Sequence, residues 1–341
     1  MRNYLLLLFT LTSIFSWCQK RNIINNEAIH FSIKQKKDTV DFLLIDIKTD
    51  ETKPIFLFCQ GSLPLPLFVQ TANENIWMIG GGITNFDIEK IKRNYHLIVI
   101  SMPNTPVIVN EKNLNESYCY VPNPNEPNKF DLNYIKSDYL ENYEKRVSTV
   151  LKFLRKQKWV DNSKLIVAGH SQGSKVATLI SLNNKKVTHL GLFSANPFGR
   201  IDQNIRYYRK QAEKNQISWE VADKEIEELY ELFRNSHNDK KVKEDINLLA
   251  WKSFSRPLLY DWLKIEIPTY LAYGTSDIAS DMCDLVPLFY IQNAKTNLTF
   301  KRYLNVEHNF FEVDHQGKAN YEKENWPHVM NDFLEWTMKK P

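Results

Sequence analysis

The chain is 341 residues long, 43% of them hydrophobic, with a formal net charge of +4 at pH 7. That length accommodates one large α/β domain or two small ones, and the apolar content is enough for a sizeable core. The charge is small and scattered rather than blocked, which argues against a nucleic-acid partner.

The N-terminus reads as a targeting segment. Arg2 gives a positive start, Tyr4 to Phe15 is a short apolar stretch, and Ser16-Trp17-Cys18 places small residues at the −3 and −1 positions of a cleavage site. The expectation is a signal peptide over 1–18, export to the periplasm or beyond, and a mature chain from Gln19 with no stable membrane span. A retained anchor is the competing reading, although the stretch is short for a spanning helix. Acylation of Cys18 is disfavoured by the bulky Trp17 before it. The mature chain keeps Cys59, Cys119 and Cys283. An odd number without CxxC spacing is neither a disulfide framework nor a zinc ribbon. Export would allow one pair to bridge, but the simpler expectation is three small buried hydrophobes.

In chain order, Ile29–Ile33 and Val40–Ile47 read as a leading antiparallel pair of strands. The run Pro54–Cys59 is apolar throughout, as a strand buried on both faces should be. A Gly/Pro-rich loop, 60–66, follows. A short helix is expected over Thr84–Arg93, a strand at His96–Ile100, and a long surface excursion over 102–130, where prolines and asparagines cluster. Tyr139–Gln157 has a helical face of Tyr139, Tyr143, Val147, Val150, Leu151 and Leu154. Asp161-Asn162-Ser163 reads as a turn before the strand Leu165–Ala168. Further strands are expected at Val187–Phe193, Pro268–Tyr273 and Leu298–Leu304, with a helix over Asp281–Gln292 and a closing amphipathic helix over Trp326–Lys339.

Strands alternating with helices imply an α/β protein with a mostly parallel sheet covered on both faces. Residues 199–263 break the alternation with charged helical pattern and interleaved aromatics. They are read as a helical cap inserted into a domain spanning 19–341, with a separate small domain as the alternative. The aromatics are expected to form the core of that cap, some of them lining a pocket.

The chemistry concentrates at Gly169-His170-Ser171-Gln172-Gly173. An apolar run enters this Gly-x-Ser-x-Gly turn and a helical pattern leaves it, the sequence form of a nucleophile elbow with Ser171 at the apex. A serine hydroxyl is a weak nucleophile at neutral pH and needs a base, which in turn needs an orienting carboxylate. Such groups gather at the carboxyl ends of strands in open α/β sheets. Asp277 follows the strand 268–273, with Asp281 and Asp284 as fallbacks. Asp281 fits a helix N-cap better. His308 follows the strand 298–304, with His315 as the alternative base. His170, inside the elbow, is expected to point away from the apex and pack locally. No HExxH, P-loop or strand-linked GxGxxG occurs, and Gly80-Gly81-Gly82 reads as a flexible loop. No metal and no cofactor is called for.

The order Ser171, Asp277, His308, with the elbow motif, resembles the α/β-hydrolase family from about residue 40 to the end. The resemblance implies Ser171 as nucleophile, His308 as base and Asp277 as orienting acid. It also implies an oxyanion hole built from the backbone N–H groups of Gln172 and Ser62. Family members often carry His-Gly in the loop after the equivalent strand. This chain carries Gln60-Gly61-Ser62, and a backbone donor survives that departure. The expected activity is hydrolysis of an ester or related acyl bond in a small molecule. Alternatives are a serine peptidase of the prolyl-peptidase type acting on short peptides, and a non-catalytic binding protein on the same scaffold.

Overall fold

The computed structural model describes residues 19–35 and 38–339. The segment 1–18, read above as a signal peptide, lies outside them. Three strands come first, not two: β1 (Gln19–Ile24), β2 (Ala28–Gln35) and β3 (Asp38–Leu44). They pair antiparallel in succession. The additional strand, β1, has only Ile23 and Ile24 as apolar residues, and Ile23 is exposed, so it carries no hydrophobic alternation to reveal it.

Next is β4 (Lys53–Cys59). Two short strands, β5 (Phe68–Gln70) and β6 (Ile76–Met78), are followed by a 3-10 turn over Gly80–Asn85 and by α1 (Ile88–Asn94), capped by Asp87. The helix expected over Thr84–Arg93 is therefore two pieces, broken where Asp87 accepts from the Lys90 N–H. The glycine run is not a bare loop. Gly80, Gly81 and Gly82 all have positive φ, and a Cβ on Gly81 would strike the Gln60 side chain at 2.6 Å.

Beyond β7 (His96–Ile100), the excursion over 102–130 forms more structure than its prolines suggest. Its strand β8 (Ile108–Asn110) pairs with β5 in a small three-stranded sheet, and Cys119 and Val121 are buried. Then come α2 (Leu132–Ser137), α3 (Leu140–Leu154), β9 (Val160–His170), α4 (Gln172–Asn183) and β10 (His189–Phe193). The turn expected at 161–163 is a bulge inside β9, where the register against β4 shifts.

Five helices separate β10 from β11 (Thr269–Gly274): α5 (Arg200–Glu213), α6 (Trp219–Ser236), α7 (Asp239–Glu244), α8 (Asn247–Phe254) and α9 (Leu259–Trp262). Phe254 and Trp262 are buried, but Tyr207, Trp219, Tyr230 and Phe233 are exposed. The two buried rings join the main core beside α3 and α4, so they do not form the separate cap core that was expected. Trp219, Tyr230 and Phe233 lie on α6, which packs on α5, α7 and α8. The chain closes with α10 (Val286–Gln292), β12 (Leu298–Tyr303), a hairpin of β13 (Phe311–Val313) and β14 (Ala319–Glu324), and α11 (Trp326–Met338). The hairpin was not expected. The strand β14 is short, charged and largely exposed, without an apolar alternation to betray it.

The main sheet has nine strands in the order β1-β2-β3-β7-β4-β9-β10-β11-β12. From β7 to β12 all neighbours are parallel. Successive side chains on each central strand point to opposite faces. Leu165 and Val167 join a core with α3, α4 and α10, while Ile166 and Ala168 join one with α1 and α11. Both faces are thus covered, which is why these strands read as continuous apolar runs. At Gly191 in β10, a Cβ would meet the Phe333 ring at 2.7 Å, so α11 lies hard against the sheet. No helix among the described residues is long and apolar enough to cross a membrane.

Candidate active site

The site grows from the junction of β9 and α4. Ser171 has φ 54° and ψ −121°, a conformation that L-residues seldom adopt. The turn is held by the Ser171 N–H donating to Phe193 O at 2.9 Å. It is also held from the other side, where Ser174 Oγ donates to Ser171 O at 2.6 Å. The flanking glycines are forced by close approach. A Cβ on Gly169 would lie 2.1 Å from Gly173 O, and one on Gly173 would lie 2.0 Å from Cys59 O. Neither can carry a side chain, so α4 starts directly against the end of β4.

The structure brings Ser171, His308 and Asp277 together, although they lie far apart in the chain. His308 Nε2 is 2.8 Å from Ser171 Oγ, and His308 Nδ1 is 2.9 Å from Asp277 Oδ2. Asp277 is 2% exposed and also accepts from the Ala279 N–H at 2.9 Å. With the carboxylate fixed as acceptor, the imidazole carries its proton on Nδ1 and offers a lone pair on Nε2 to the serine hydroxyl. Burial works against charge on both partners, but each also stabilises the other's charged form. The balance holds the Asp277 carboxyl below its ordinary range and lifts His308 above its ordinary value.

The alternatives stand elsewhere. His315 lies exposed in the turn between β13 and β14. Asp281 pairs with Arg206 and Lys210, and Asp284 accepts from the Tyr273 hydroxyl. Each of these carboxylates already has a partner of its own.

The expectation that His170 merely packs locally is corrected. Its half-buried ring lies 5.0 Å from that of His308, and its Nε2–H donates to His308 O at 2.8 Å. Ser194 Oγ donates to the same carbonyl at 2.7 Å. Burial, and then the neighbouring imidazole, push His170 down to about 3, so it stays neutral and serves as a strut under His308. These two contacts span more than a hundred residues, and nothing local in the sequence signals them. The elbow's middle position and the end of β10 were the places to look.

The loop after β4 lies beside the elbow. The Cβ direction of Gly61 comes within 3.9 Å of Ser171 Cβ, and Ser62 lines the same hollows as Ser171 and His308. Gln60, standing where the resemblance would place histidine, anchors this loop by donating from Nε2 to Ile100 O at 2.8 Å. Among the described residues the N–H groups of Ser62 and Gln172 have no protein acceptor. Gln172 is the first residue of α4, where backbone donors are free and the helix dipole is positive.

Two hollows meet at Ser171. One, of about 590 Å³, runs toward α2, α5 and α8 and is walled by Asp138, Gln172, Arg200 and Trp251. The other, of about 690 Å³, runs toward β6 and the hairpin, past Trp77, Tyr118 and Phe311. Cys59, Cys119 and Cys283 are free and buried, and burial pushes the first two thiols up to about 12 and about 11. They are neither cross-linked nor poised as nucleophiles. The described residues contain no group of histidine, cysteine and carboxylate side chains that could hold a metal ion.

No protein-family model matches the chain, and no curated protein matches it in sequence. Solved structures do match. A Pyrococcus horikoshii acylaminoacyl peptidase in an orthorhombic crystal form superposes with a TM-score of 0.53 at 11% identity, covering 95% of this chain and 42% of that one. An acylaminoacyl peptidase in complex with Z-Gly-Gly-Phe-chloromethyl ketone gives 0.53 at 13% identity, covering 92% and 41%. The chain thus spans about two fifths of the length of those peptidases. With the sheet order, the covered faces and the elbow, the likeness establishes an α/β-hydrolase fold.

Proposed function

We propose that this protein is a serine hydrolase that cleaves an ester or related acyl bond through an acyl-enzyme. The observation that carries the proposal is the unbroken hydrogen-bonded chain from the Ser171 hydroxyl through His308 to the buried Asp277, placed where two hollows meet. Ser171 Oγ attacks the carbonyl carbon and passes its proton to His308 Nε2. The resulting oxyanion is held by the N–H groups of Gln172 and Ser62. The tetrahedral species collapses as the bond to the leaving oxygen breaks, and His308 returns the proton to that oxygen. Water then attacks the acyl carbon and gives a proton to His308. Ser171 recovers a proton as the carboxylic acid leaves. Asp277 holds the imidazole in the right tautomer and steadies its cation throughout.

The reaction needs no cofactor. The likeness to acylaminoacyl peptidases supports a second reading, in which the scissile bond is the amide of a short peptide, and a parallel assay with peptide amides separates the two. The N-terminal segment 1–18 is proposed as an export signal, which places the activity outside the cytoplasm.

Steady-state hydrolysis of p-nitrophenyl acetate tests the proposal. The base works only when neutral, so kcat/KM must fall as pH drops through the His308 pKa. The Asp277 carboxylate raises that pKa, so the acid limb is expected above the pH at which free imidazole titrates. A rate that is flat down to pH 5, or absent at every pH, contradicts it.

A further inference from the structure

The hollow of about 590 Å³ has a charge pattern that the bond-cleaving groups do not use. Asp138 is the one carboxylate among its lining residues, against three basic side chains, Lys129, Lys175 and Arg200. Two of these cations are already engaged. Lys129 pairs with Glu126 at 3.2 Å near the surface. Lys175 is buried, donates to Phe254 O at 2.7 Å, and is pushed by burial down to about 7.

Arg200 is different. It opens α5, the first helix after β10, with its guanidinium 5.3 Å from the Trp251 ring and 5.2 Å from the Phe254 ring. Its protein partner is the neutral Gln172 Oε1, at 2.6 Å from Nη2. Among the described residues no carboxylate lies within ion-pair distance, and Nε and Nη1 have no acceptor. Asp138 lies near enough for each to stabilise the other's charge, but makes no hydrogen bond to it. That carboxyl accepts instead from Tyr143 Oη at 2.8 Å and from Gln172 Nε2 at 3.3 Å. Arg200 is half-buried, and the solvation it loses there without an anion in direct contact is recovered only in part by aromatic packing. A guanidinium fork with spare donors in a cavity wall is matched by a carboxylate, which it binds through paired, charge-assisted hydrogen bonds. Gln172 ties the arrangement to the reacting centre, because its side chain holds Arg200 and its backbone directly follows Ser171.

We propose that the substrate is an anionic ester, whose acyl or leaving part carries a carboxylate bound by Arg200 in this hollow. The inference rests on the hydrolase reading and adds the substrate's charge to it.

The test compares kcat/KM for phenyl acetate with two charged relatives, 4-acetoxybenzoate (carboxylate on the leaving part) and phenyl hemisuccinate (carboxylate on the acyl part), each corrected for its own rate in alkaline buffer. One charged ester should exceed phenyl acetate by about tenfold or more, the scale of one charge-assisted contact. In Arg200→Met that ratio should fall to about 1, with Arg200→Lys in between. A wild type that favours the neutral ester over both charged ones overturns the inference, and so does a preference that survives in Arg200→Met. A measurement on the wild type alone guards against a variant that fails to fold. Benzoate should inhibit phenyl acetate hydrolysis at about tenfold lower concentration than benzamide, and equal inhibition counts against the proposal. Turnover of phenyl acetate without any charge preference refutes this inference and leaves the hydrolase reading standing. No turnover of any of the three esters refutes both.

Discussion

Replacing Ser171 with alanine should reduce kcat for p-nitrophenyl acetate by about a millionfold, the scale seen when a serine hydrolase loses its nucleophile. No described cysteine can substitute. The three described cysteines are buried, and the Cys59 thiol is held up to about 12. The fold should survive, because the elbow is held by backbone and neighbouring groups. The Ser171 N–H donates to Phe193 O, and Ser174 closes the turn onto Ser171 O. The hydroxyl itself bonds to His308 Nε2. The loss should therefore appear in kcat with an unchanged melting temperature. Retention of even a hundredth of the wild-type rate by a pure, folded variant would mean that another group attacks the substrate.

Asp277→Asn should cost about ten-thousandfold in kcat. An amide of the same shape can turn its NH₂ toward the ring and hold His308 in the tautomer that protonates Nε2, so the lone pair facing Ser171 is lost. The carboxylate also supplies the main force lifting the His308 pKa, against burial that lowers it. Without it only the lowering influence of burial remains, apart from a smaller contribution from Glu307. The acid limb of the residual activity should therefore move to lower pH than in the wild type. A variant that loses activity while its acid limb stays in place would show that Asp277 holds the loop rather than the imidazole.

The parts of this molecule legible in the sequence are those fixed by local geometry. Gly169 and Gly173 announce the elbow because backbone atoms of other segments stand where their side chains would be. Central strands such as β4 and the 165–168 part of β9 announce themselves because burial on both faces demands unbroken apolar runs. Asp277 and His308 were accessible from their places just beyond strand ends, where a parallel sheet gathers its loops. The rest depends on contacts that no local pattern encodes. The support of His308 by His170 and Ser194 links positions 138 and 114 residues apart. The chain from Arg200 through Gln172 to Asp138 joins three segments that meet only when α5 packs over the elbow. The strand β14 and the exposed aromatics of α6 escaped because their burial follows from which neighbours happen to be present, not from periodicity. Asp281 and Asp284 show the same limit from the other side. As residue types they matched the acid's role, and only their ion pair and tyrosine contact assign them elsewhere.

The most direct measurement is labelling of the intact protein with a fluorophosphonate, followed by mass mapping of the adduct. A hydroxyl activated by His308 and facing an open hollow should react within minutes. One phosphonyl group should appear, on the peptide carrying Ser171, and none should form in His308→Ala. An unlabelled Ser171 in folded protein, or an adduct confined to a different serine, would contradict the assignment of this residue as the nucleophile.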